Sequence, residues 1–239
     1  MENTLYIALS RQLATTRQMD LIANNLANAD TTGFKGEQVM FSEYVTRSAD
    51  GGRLSFVQDR ALARDLREGK LERTGAPLDV AIQGKGWFVV DTKAGDRYTR
   101  NGHFKIDRDG RLVTASGEVV MGTGGAPIVF GRDDKDLTIH EDGTVRAGAN
   151  TRGKLRIVSF ENEHALRNSG DNLFRTGASP QDVASPRVAQ GMVETSNVQP
   201  VVEMTQMITA LRTFQGAQQM IESEHDRQRA LIDKLTSEN

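Results

Sequence analysis

Cysteine is absent from the 239-residue chain. The protein can therefore form no disulfide bond, no thiolate zinc site and no cysteine nucleophile. The four histidines are scattered, and no two of them have the spacing at which a helix presents a pair of zinc ligands. These histidines are His103, His140, His164 and His225. We therefore expect no metal and no cofactor.

Sequence motifs of enzymes are missing as well. The glycine-rich run from Gly122 to Gly125 is not followed by the Lys-Ser/Thr pair of a phosphate-binding loop. Asp107 opens a run that resembles a calcium loop, but the glycine needed at its sixth position is Leu112, so a β-turn is the better interpretation. No nucleophile-elbow motif surrounds the serines. We predict that the protein is not an enzyme.

The chain has no excess of one charge and no long apolar run. Lys plus Arg number 30 and Asp plus Glu number 32, which leaves no basic excess for nucleic acid. No segment approaches the roughly 18 apolar residues of a membrane-spanning helix. Glu2, Arg11, Arg17 and Asp20 interrupt the N-terminal region, which is unlike a secretory signal peptide. We expect no nucleic-acid partner, no membrane insertion and no cleaved signal.

Apolar residues make up only 37% of the chain, aromatic residues 5%, and the mean hydropathy is −0.48. Between Pro200 and Leu235 apolar residues follow a helical pattern, recurring in alternating steps of four and three. This period is typical of a helix that packs along a partner helix, although one helix of an ordinary bundle would also fit. The stripe contains Met204, Met207, Leu211, Phe214, Gln218, Ile221, His225, Gln228, Ile232 and Leu235, with Val201, Ile208 and Leu231 beside it.

The N-terminal end shows a similar pattern. Residues 3–27 contain no glycine or proline, and a run from Asn28 to Gly33 supplies the stop signal. We predict two terminal helices that pair as a coiled-coil-like domain. The N-terminal stripe contains Leu5, Leu9, Gln12, Thr16, Met19, Ala23 and Leu26, widened by Leu13 and Ile22.

The central region changes to a period of two. Short apolar strands alternate with turn signals such as Asp109-Gly110, which predicts an antiparallel β domain and an α+β fold class. The charged run from Asp59 to Glu68 fits either a short helix or a solvated loop. The predicted division is an N-terminal helix in 1–35, an extended connector in 36–75, the β domain in 76–190 and a C-terminal helix in 191–239.

Three segments carry a family resemblance. Near the N-terminus, Ala23-Asn24-Asn25-Leu26-Ala27-Asn28 and Thr32-Gly33-Phe34-Lys35 resemble the signature of the flagellar rod and hook family of axial proteins. Glu194-Thr195-Ser196-Asn197-Val198 resembles the C-terminal signature of the same family, and Glu203, Met204, Ile208 and Arg212 continue it. The runs from Pro77 to Phe88 and from Tyr98 to Phe104 are similar to its central-domain motif.

The resemblance implies a structural component of the bacterial flagellar basal-body rod, with the terminal helices forming an inner tube. It implies a place in the periplasm-spanning proximal rod, with the distal rod as the alternative. The implied partners are the protein itself, other rod proteins and the type III export apparatus. A different class remains open, a soluble module whose β domain binds a ligand while the helices dimerise. The expected assembly residues are Leu5, Leu9, Leu13, Met19, Ile22, Asn24, Asn25, Leu26, Asn28, Met204, Met207, Ile208, Leu211, Phe214, Ile221, Ile232 and Leu235.

Overall fold

A computed structural model describes residues 2–47 and 53–237, and the side chains of 6–40, 63–230 and 233–234. Along the chain, one long helix precedes a series of strands and a second long helix follows them. Helix α1 spans Glu2–Ala27 and helix α2 spans Pro200–Ser237. Every strand pair in the described part is antiparallel. The predicted α+β class, with two helices and a multi-stranded antiparallel β region, is confirmed.

The chain divides into two compact units. Unit 1 contains α1, the hairpin of strands β1 (Glu37–Arg47) and β2 (Arg53–Arg64), and α2. The hairpin lies within the segment predicted as an extended connector, and β2 covers much of the charged run that fitted a helix or a loop. Its two strands pair over their whole length, with a register shift between Met40 and Phe41. Because charged residues interrupt the period-two alternation of both strands, the sequence pattern does not reveal this hairpin.

Unit 2 contains residues 28–36 and 65–198. The strands are β3 (Leu71–Arg73), β4 (Val80–Gln83), β5 (Trp87–Thr92), β6 (Gly95–Thr99), β7 (Phe104–Ile106), β8 (Leu112–Thr114), β9 (Val119–Val120), β10 (Leu137–Ile139), β11 (Thr144–Ala147), β12 (Asn150–Lys154), β13 (Ile157–Ser159), β14 (Arg167–Asn168), β15 (Phe174–Arg175), β16 (Gln181–Asp182), β17 (Arg187–Gln190) and β18 (Met192–Glu194). The largest sheet has the order β14-β15-β6-β5-β9-β8-β7, with β13 joining β5 to β16. A three-stranded sheet, β10-β11-β12, and the pairs β17-β4 and β18-β3 complete the unit.

Strand β5 separates two hydrophobic clusters in unit 2. Phe88 and Val90 face one cluster, in which the Phe88 and Phe104 rings meet edge to face at 5.1 Å. Trp87 and Val89 face the other cluster, which also contains Phe160, Phe174 and Tyr98. Successive side chains of a strand point to opposite faces. Both faces of β5 are buried, which explains its uninterrupted apolar sequence.

Candidate assembly site

The helices of unit 1 pack against each other through small and polar side chains. The buried positions recur every seven residues, and alanine or threonine at several of them lets two helix backbones approach closely. In α1 the buried residues of this line are Ala8, Thr15 and Ile22, and in α2 they are Glu203, Ala210, Ala217 and Glu224. A search for large apolar residues at helical spacing misses this line, although its seven-residue period is present in the sequence.

Several large apolar side chains of the same helices face solvent. Leu13 is 65% exposed and Val201 is 77% exposed. Contiguous exposed apolar surface on a protein commonly marks an interaction site. The exposed set is Tyr6, Leu9 and Leu13 in α1, and Val201, Val202, Met204, Ile208, Leu211 and Met220 in α2.

The predicted assembly residues fall into two groups in the structure, and their role in assembly stays a prediction. The buried or partly buried group is Met19, Ile22, Asn25, Leu26, Asn28, Met207, Phe214 and Ile221. The exposed group is Leu9, Leu13, Asn24, Met204, Ile208 and Leu211. The side chains of Leu5, Ile232 and Leu235 lie outside the described residues.

Asn25 links α1 to the start of β1 within unit 1. Its side-chain amide donates to the Glu37 carbonyl at 2.9 Å, and its side-chain oxygen accepts from the Glu37 N–H at 3.0 Å. This pair of hydrogen bonds imitates one rung of a β ladder and satisfies the buried amide. The Glu37 carboxylate in turn accepts a charged hydrogen bond from Arg64 at 2.6 Å. Asn25 therefore fixes where the hairpin begins along the helix.

Unit 2 contains a buried carboxylate between two buried cations. Glu194, at the end of β18, is 1% exposed. Its Oε1 accepts from Lys35 Nζ at 2.6 Å, and its Oε2 accepts from Arg100 Nε at 2.7 Å. The Gly69 N–H donates a third hydrogen bond to Oε1 at 2.9 Å. Removing one member of such a group leaves an uncompensated buried charge, at a cost of about 3–5 kcal/mol.

Backbone carbonyls accept further hydrogen bonds from the two cations. Lys35 Nζ donates to the Arg67 carbonyl at 2.7 Å. One terminal nitrogen of Arg100 donates to the carbonyls of Gly84 at 2.9 Å and Gly86 at 2.7 Å. Burial lowers the pKa of Lys35, and the neighbouring Glu194 carboxylate opposes that shift. The three charged side chains form one cross-linked group, which we call the Glu194 cluster.

The residues around the Glu194 cluster require close backbone packing. Gly33 has a φ of 68°, and a Cβ there would lie 2.6 Å from the carbonyl carbon of Arg100. The Gly33 N–H donates to the Glu194 carbonyl at 2.6 Å. Only glycine combines this backbone conformation with this close approach.

Asn197 connects the segment after β18 to two other parts of unit 2. Its side-chain oxygen accepts from the Gly36 N–H at 2.8 Å. Its amide donates to the carbonyls of Asp65 at 2.9 Å and Arg67 at 3.0 Å. Together with the Glu194 cluster, Asn197 brings the motif segments around residues 32–35, 84–86, 100 and 194–197 to one place. The sequence motifs identify these residues but do not reveal that they contact one another.

A cavity of about 290 Å³ lies beside the Glu194 cluster and is lined in part by Leu66, Trp87 and Phe160. No serine, threonine or cysteine is among the residues that line it. Within residues 2–47 and 53–237, no three His, Asp or Glu side chains are placed to hold a metal ion. Over the same residues, neither helix has an apolar stretch sufficient to span a bilayer. The predicted absence of a cofactor and of membrane insertion stays a prediction.

Comparison with known proteins identifies three family models along the chain. Residues 5–35 match the family described as flagella basal body rod protein. Residues 81–147 match the flagellar hook protein FlgE/F/G D1 domain. Residues 189–234 match the flagellar basal body rod FlgEFG protein C-terminal family. These matches include the segments whose residues form the Glu194 cluster.

Similar proteins extend over nearly the whole chain. The flagellar basal-body rod protein FlgF of Caulobacter vibrioides is 38% identical and covers 98% of each chain. FlgF of Mesorhizobium japonicum is 37% identical over 90% of each chain. The flagellar basal-body rod protein FlgG of Bacillus subtilis is 32% identical over 92% of this chain and 94% of its own. These relatives are structural rod proteins rather than enzymes, and the chain belongs to the family of flagellar basal-body rod proteins.

Proposed function

We propose that the protein is a structural component of the proximal rod of the bacterial flagellar basal body. In this role it assembles with copies of itself and with other rod proteins, transmits torque and contributes to the wall of the export channel. Similarity to FlgF over 98% of the chain supports this function most directly. The exposed apolar faces of α1 and α2 supply the assembly surface that such a role needs.

The helices of unit 1 are proposed to pair as a coiled-coil-like axial domain. Buried positions that recur every seven residues in both helices support this pairing. The exposed apolar residues Leu9, Leu13, Ile208 and Leu211 are then free to contact neighbouring subunits. A subunit of this design is completed by its neighbours, because its own core does not cover those side chains.

The Glu194 cluster is proposed to have a supporting role. It ties together the segment that follows α1 in sequence and the segment that precedes α2, through Lys35 and Glu194. A rod component transmits torque only if force on one part of the chain reaches the rest. Buried ion pairs with several backbone hydrogen bonds resist such force better than exposed pairs, because both partners are held in one geometry.

We also propose that the protein reaches the basal body through the flagellar type III export apparatus, without cleavage of a signal. The test is complementation of a strain that lacks the gene. The wild-type chain is expected to restore swimming and to appear in purified basal bodies with its N-terminal residues intact. A protein that starts after residue 20 in basal bodies, or one absent from them, would contradict the proposal. Loss of an enzymatic activity is not expected in this strain, since the relatives are structural rod proteins.

The position along the rod is a separate part of the proposal. FlgG proteins also match this chain over most of its length, at 32% identity for the Bacillus subtilis protein against 38% for FlgF of Caulobacter vibrioides. The higher identity favours the proximal rod over the distal rod. Electron cryomicroscopy of basal bodies that carry a tagged copy would locate the subunit. Density for the tag in the distal half would show that the protein belongs to the distal rod.

A further inference from the structure

Glu203 in α2 has a buried carboxylate oxygen that lacks a partner among the described residues. Glu203 is 7% exposed, and its Oε2 makes no hydrogen bond within the described part of the chain. Buried carboxylates in folded proteins are nearly always paired or hydrogen-bonded, because water no longer solvates them. Glu203 lies in the first turn of α2, which favours a carboxylate, and its unpaired oxygen leaves room for a hydrogen-bond donor from another subunit.

Glu203 lines a cavity of about 200 Å³ in unit 1. Two other polar residues of this cavity already have partners, since Glu37 pairs with Arg64 and Asn25 bonds to the Glu37 backbone. The side chains of Gln18 and Gln206 also line it and can accept further hydrogen bonds. The cavity thus offers one carboxylate oxygen without a partner beside two glutamine side chains that can accept hydrogen bonds, which suits a guanidinium group.

An apolar groove adjoins this cavity and shares Gln18 and Gln206 with it. Its volume is about 310 Å³, and Val201 and Val202 provide most of its apolar lining. The two spaces together suit an arginine that has an apolar residue beside it on the same helix face. Residues four apart in sequence are neighbours of this kind.

Two helix faces of the chain have that composition, Leu13 with Arg17 and Ile208 with Arg212, but Arg17 already has an interaction within its own chain. Arg212 is exposed and has no ion-pair or hydrogen-bond partner for its guanidinium in the described residues, and Ile208, four residues earlier, is 54% exposed. Arg11 and Arg229 are also exposed, but the residues four before them are the partly buried Ile7 and the polar His225. Arg212 is therefore the candidate that matches both the cavity and the groove.

Glu203 and Arg212 of one chain cannot pair with each other. They are nine residues apart on one helix, which separates them by about 13 Å along the axis and places them on opposite faces. We propose that Arg212 of one subunit enters the cavity of a second copy and pairs with its Glu203, while Ile208 of the first subunit occupies the groove. Because donor and acceptor faces differ, the contact is head-to-tail and can repeat from subunit to subunit, as in a helical assembly.

This inference rests on the proposed function, since it requires copies that assemble. Charge variants test the pairing in the complemented deletion strain. Glu203→Arg and Arg212→Glu are each expected to reduce incorporation into basal bodies by about tenfold or more, because each places like charges together. The double exchange is expected to recover most of that loss. Failure of the double variant to recover, or normal incorporation of either single variant, would overturn the pairing while leaving the proposed function in place.

The neutral variant Glu203→Gln separates assembly from folding. It removes an unpaired buried charge, so the melting temperature of the purified chain should stay equal or rise while incorporation falls. Glu224→Gln is the matched control, since Glu224 is 9% exposed on the same face but pairs with Arg227 of its own chain at 2.7 Å. It should leave incorporation unchanged. A fall in melting temperature for Glu203→Gln would show that Glu203 serves the fold of the subunit and would overturn the inference.

The absence of cysteine permits a direct test of the contact. Copies that carry Gln206→Cys and copies that carry Ile208→Cys are co-expressed, and disulfide cross-links are scored in whole cells. A covalent dimer that appears only when both variants are present supports the contact. A cross-link to a protein of another mass, or none at all, would rule out a second copy as the occupant. Absence of the wild-type chain from basal bodies would refute the proposed function instead. The cross-link would then still test the contact between two copies, independently of that function.

Discussion

In unit 2 the largest apolar side chains point inward, and Trp87, Phe88 and Phe174 are at most 2% exposed. In unit 1 the packed line between the helices contains alanine, threonine and glutamate, whereas Leu13 and Val201 are 65% and 77% exposed. Ile22 is the large apolar residue of that line, and many other large apolar side chains of the two helices face solvent. Burial of apolar surface is the main favourable term in folding. Unit 2 has this term within one chain, and unit 1 gains much of it only if other chains cover its helices.

The charged residues show the same difference. In unit 2 Glu194 has two cationic partners within 2.7 Å. In unit 1 Glu203 is buried without one among the described residues. Glu194 is thus neutralised within its own unit, whereas Glu203 has no counter-charge among the described residues. Variants in either unit test this difference: those in unit 2 should affect its stability, and those in unit 1 should affect assembly.

The largest effect should come from removing the segments that close unit 2. A fragment of residues 76–187 retains most strands but lacks Lys35 and Glu194, so Arg100 becomes a buried charge without its carboxylate. We expect it to be less stable than a fragment of residues 28–198 by more than about 5 kcal/mol, because an ion-pair partner and the strand pairing of β18 with β3 are lost together. Urea unfolding of both fragments measures the difference. Equal midpoints would show that the terminal segments are not part of the unit.

A smaller loss is expected for Glu194→Gln in the full chain. The substitution keeps the shape of the side chain but leaves Lys35 and Arg100 as two buried cations without a counter-charge. We expect a loss of about 3–5 kcal/mol in the free energy of unfolding of unit 2. The control is Asp109→Asn, which removes an exposed partner of Arg111 and should cost less than about 1 kcal/mol. Similar losses for both variants would contradict the importance of burial at the Glu194 cluster.

Gly33→Ala should have an intermediate effect. The new Cβ would meet the Arg100 and Asn101 backbone at 2.6 Å, in addition to the strain of a positive φ. We expect a loss of about 1–3 kcal/mol. Gly75→Ala is a matched control, because Gly75 has a φ of 75° but no atom within 4 Å of the added Cβ. If the two variants unfold at the same temperature, the close approach at Gly33 contributes nothing.

The sequence predicts the helices of unit 1 and many strands of unit 2 from their periods. Helix α1 was expected over residues 3–27 and spans Glu2–Ala27, because a long 3.6-residue repeat without glycine or proline has one interpretation. Strand β5 is similarly evident from its dense apolar run. The hairpin of β1 and β2 is not evident from the sequence, since charged residues interrupt the alternation of apolar and polar residues. Its stability comes from the pairing of the two strands, which begins with Glu37 opposite Arg64.

The candidate site is less accessible to sequence reasoning than the fold. Glu194 and Lys35 are 159 positions apart, so their motifs could be noticed separately but not joined. Within α2, the search for large apolar residues predicts Leu211 and Met204 as contact positions. The residues one position earlier, Ala210 and Glu203, are the ones that lie in the packed line. A shift of one residue turns a helix position by about 100°, which follows from 3.6 residues per turn. Only tertiary structure shows which of two adjacent lines faces the partner helix.

The smallest effect on the isolated chain, with the largest on assembly, is expected for Leu211→Asp. Leu211 is 46% exposed, and a surface substitution of this kind usually changes the free energy of unfolding by less than about 0.5 kcal/mol. If a neighbouring subunit covers Leu211 in the rod, the new carboxylate is buried without a partner at every copy, which costs several kcal/mol each and should abolish swimming. Val129→Asp is the matched control, since Val129 is 43% exposed but lies in unit 2, outside the predicted assembly set. Ile221→Asp should differ from both, because Ile221 is partly buried within the subunit and its replacement should lower the melting temperature as well.

Normal swimming with Leu211→Asp would remove this face of α2 from the assembly surface. A clear drop in its melting temperature would instead show that Leu211 supports the subunit itself, and the contrast between the two units would then be smaller than the exposed side chains indicate.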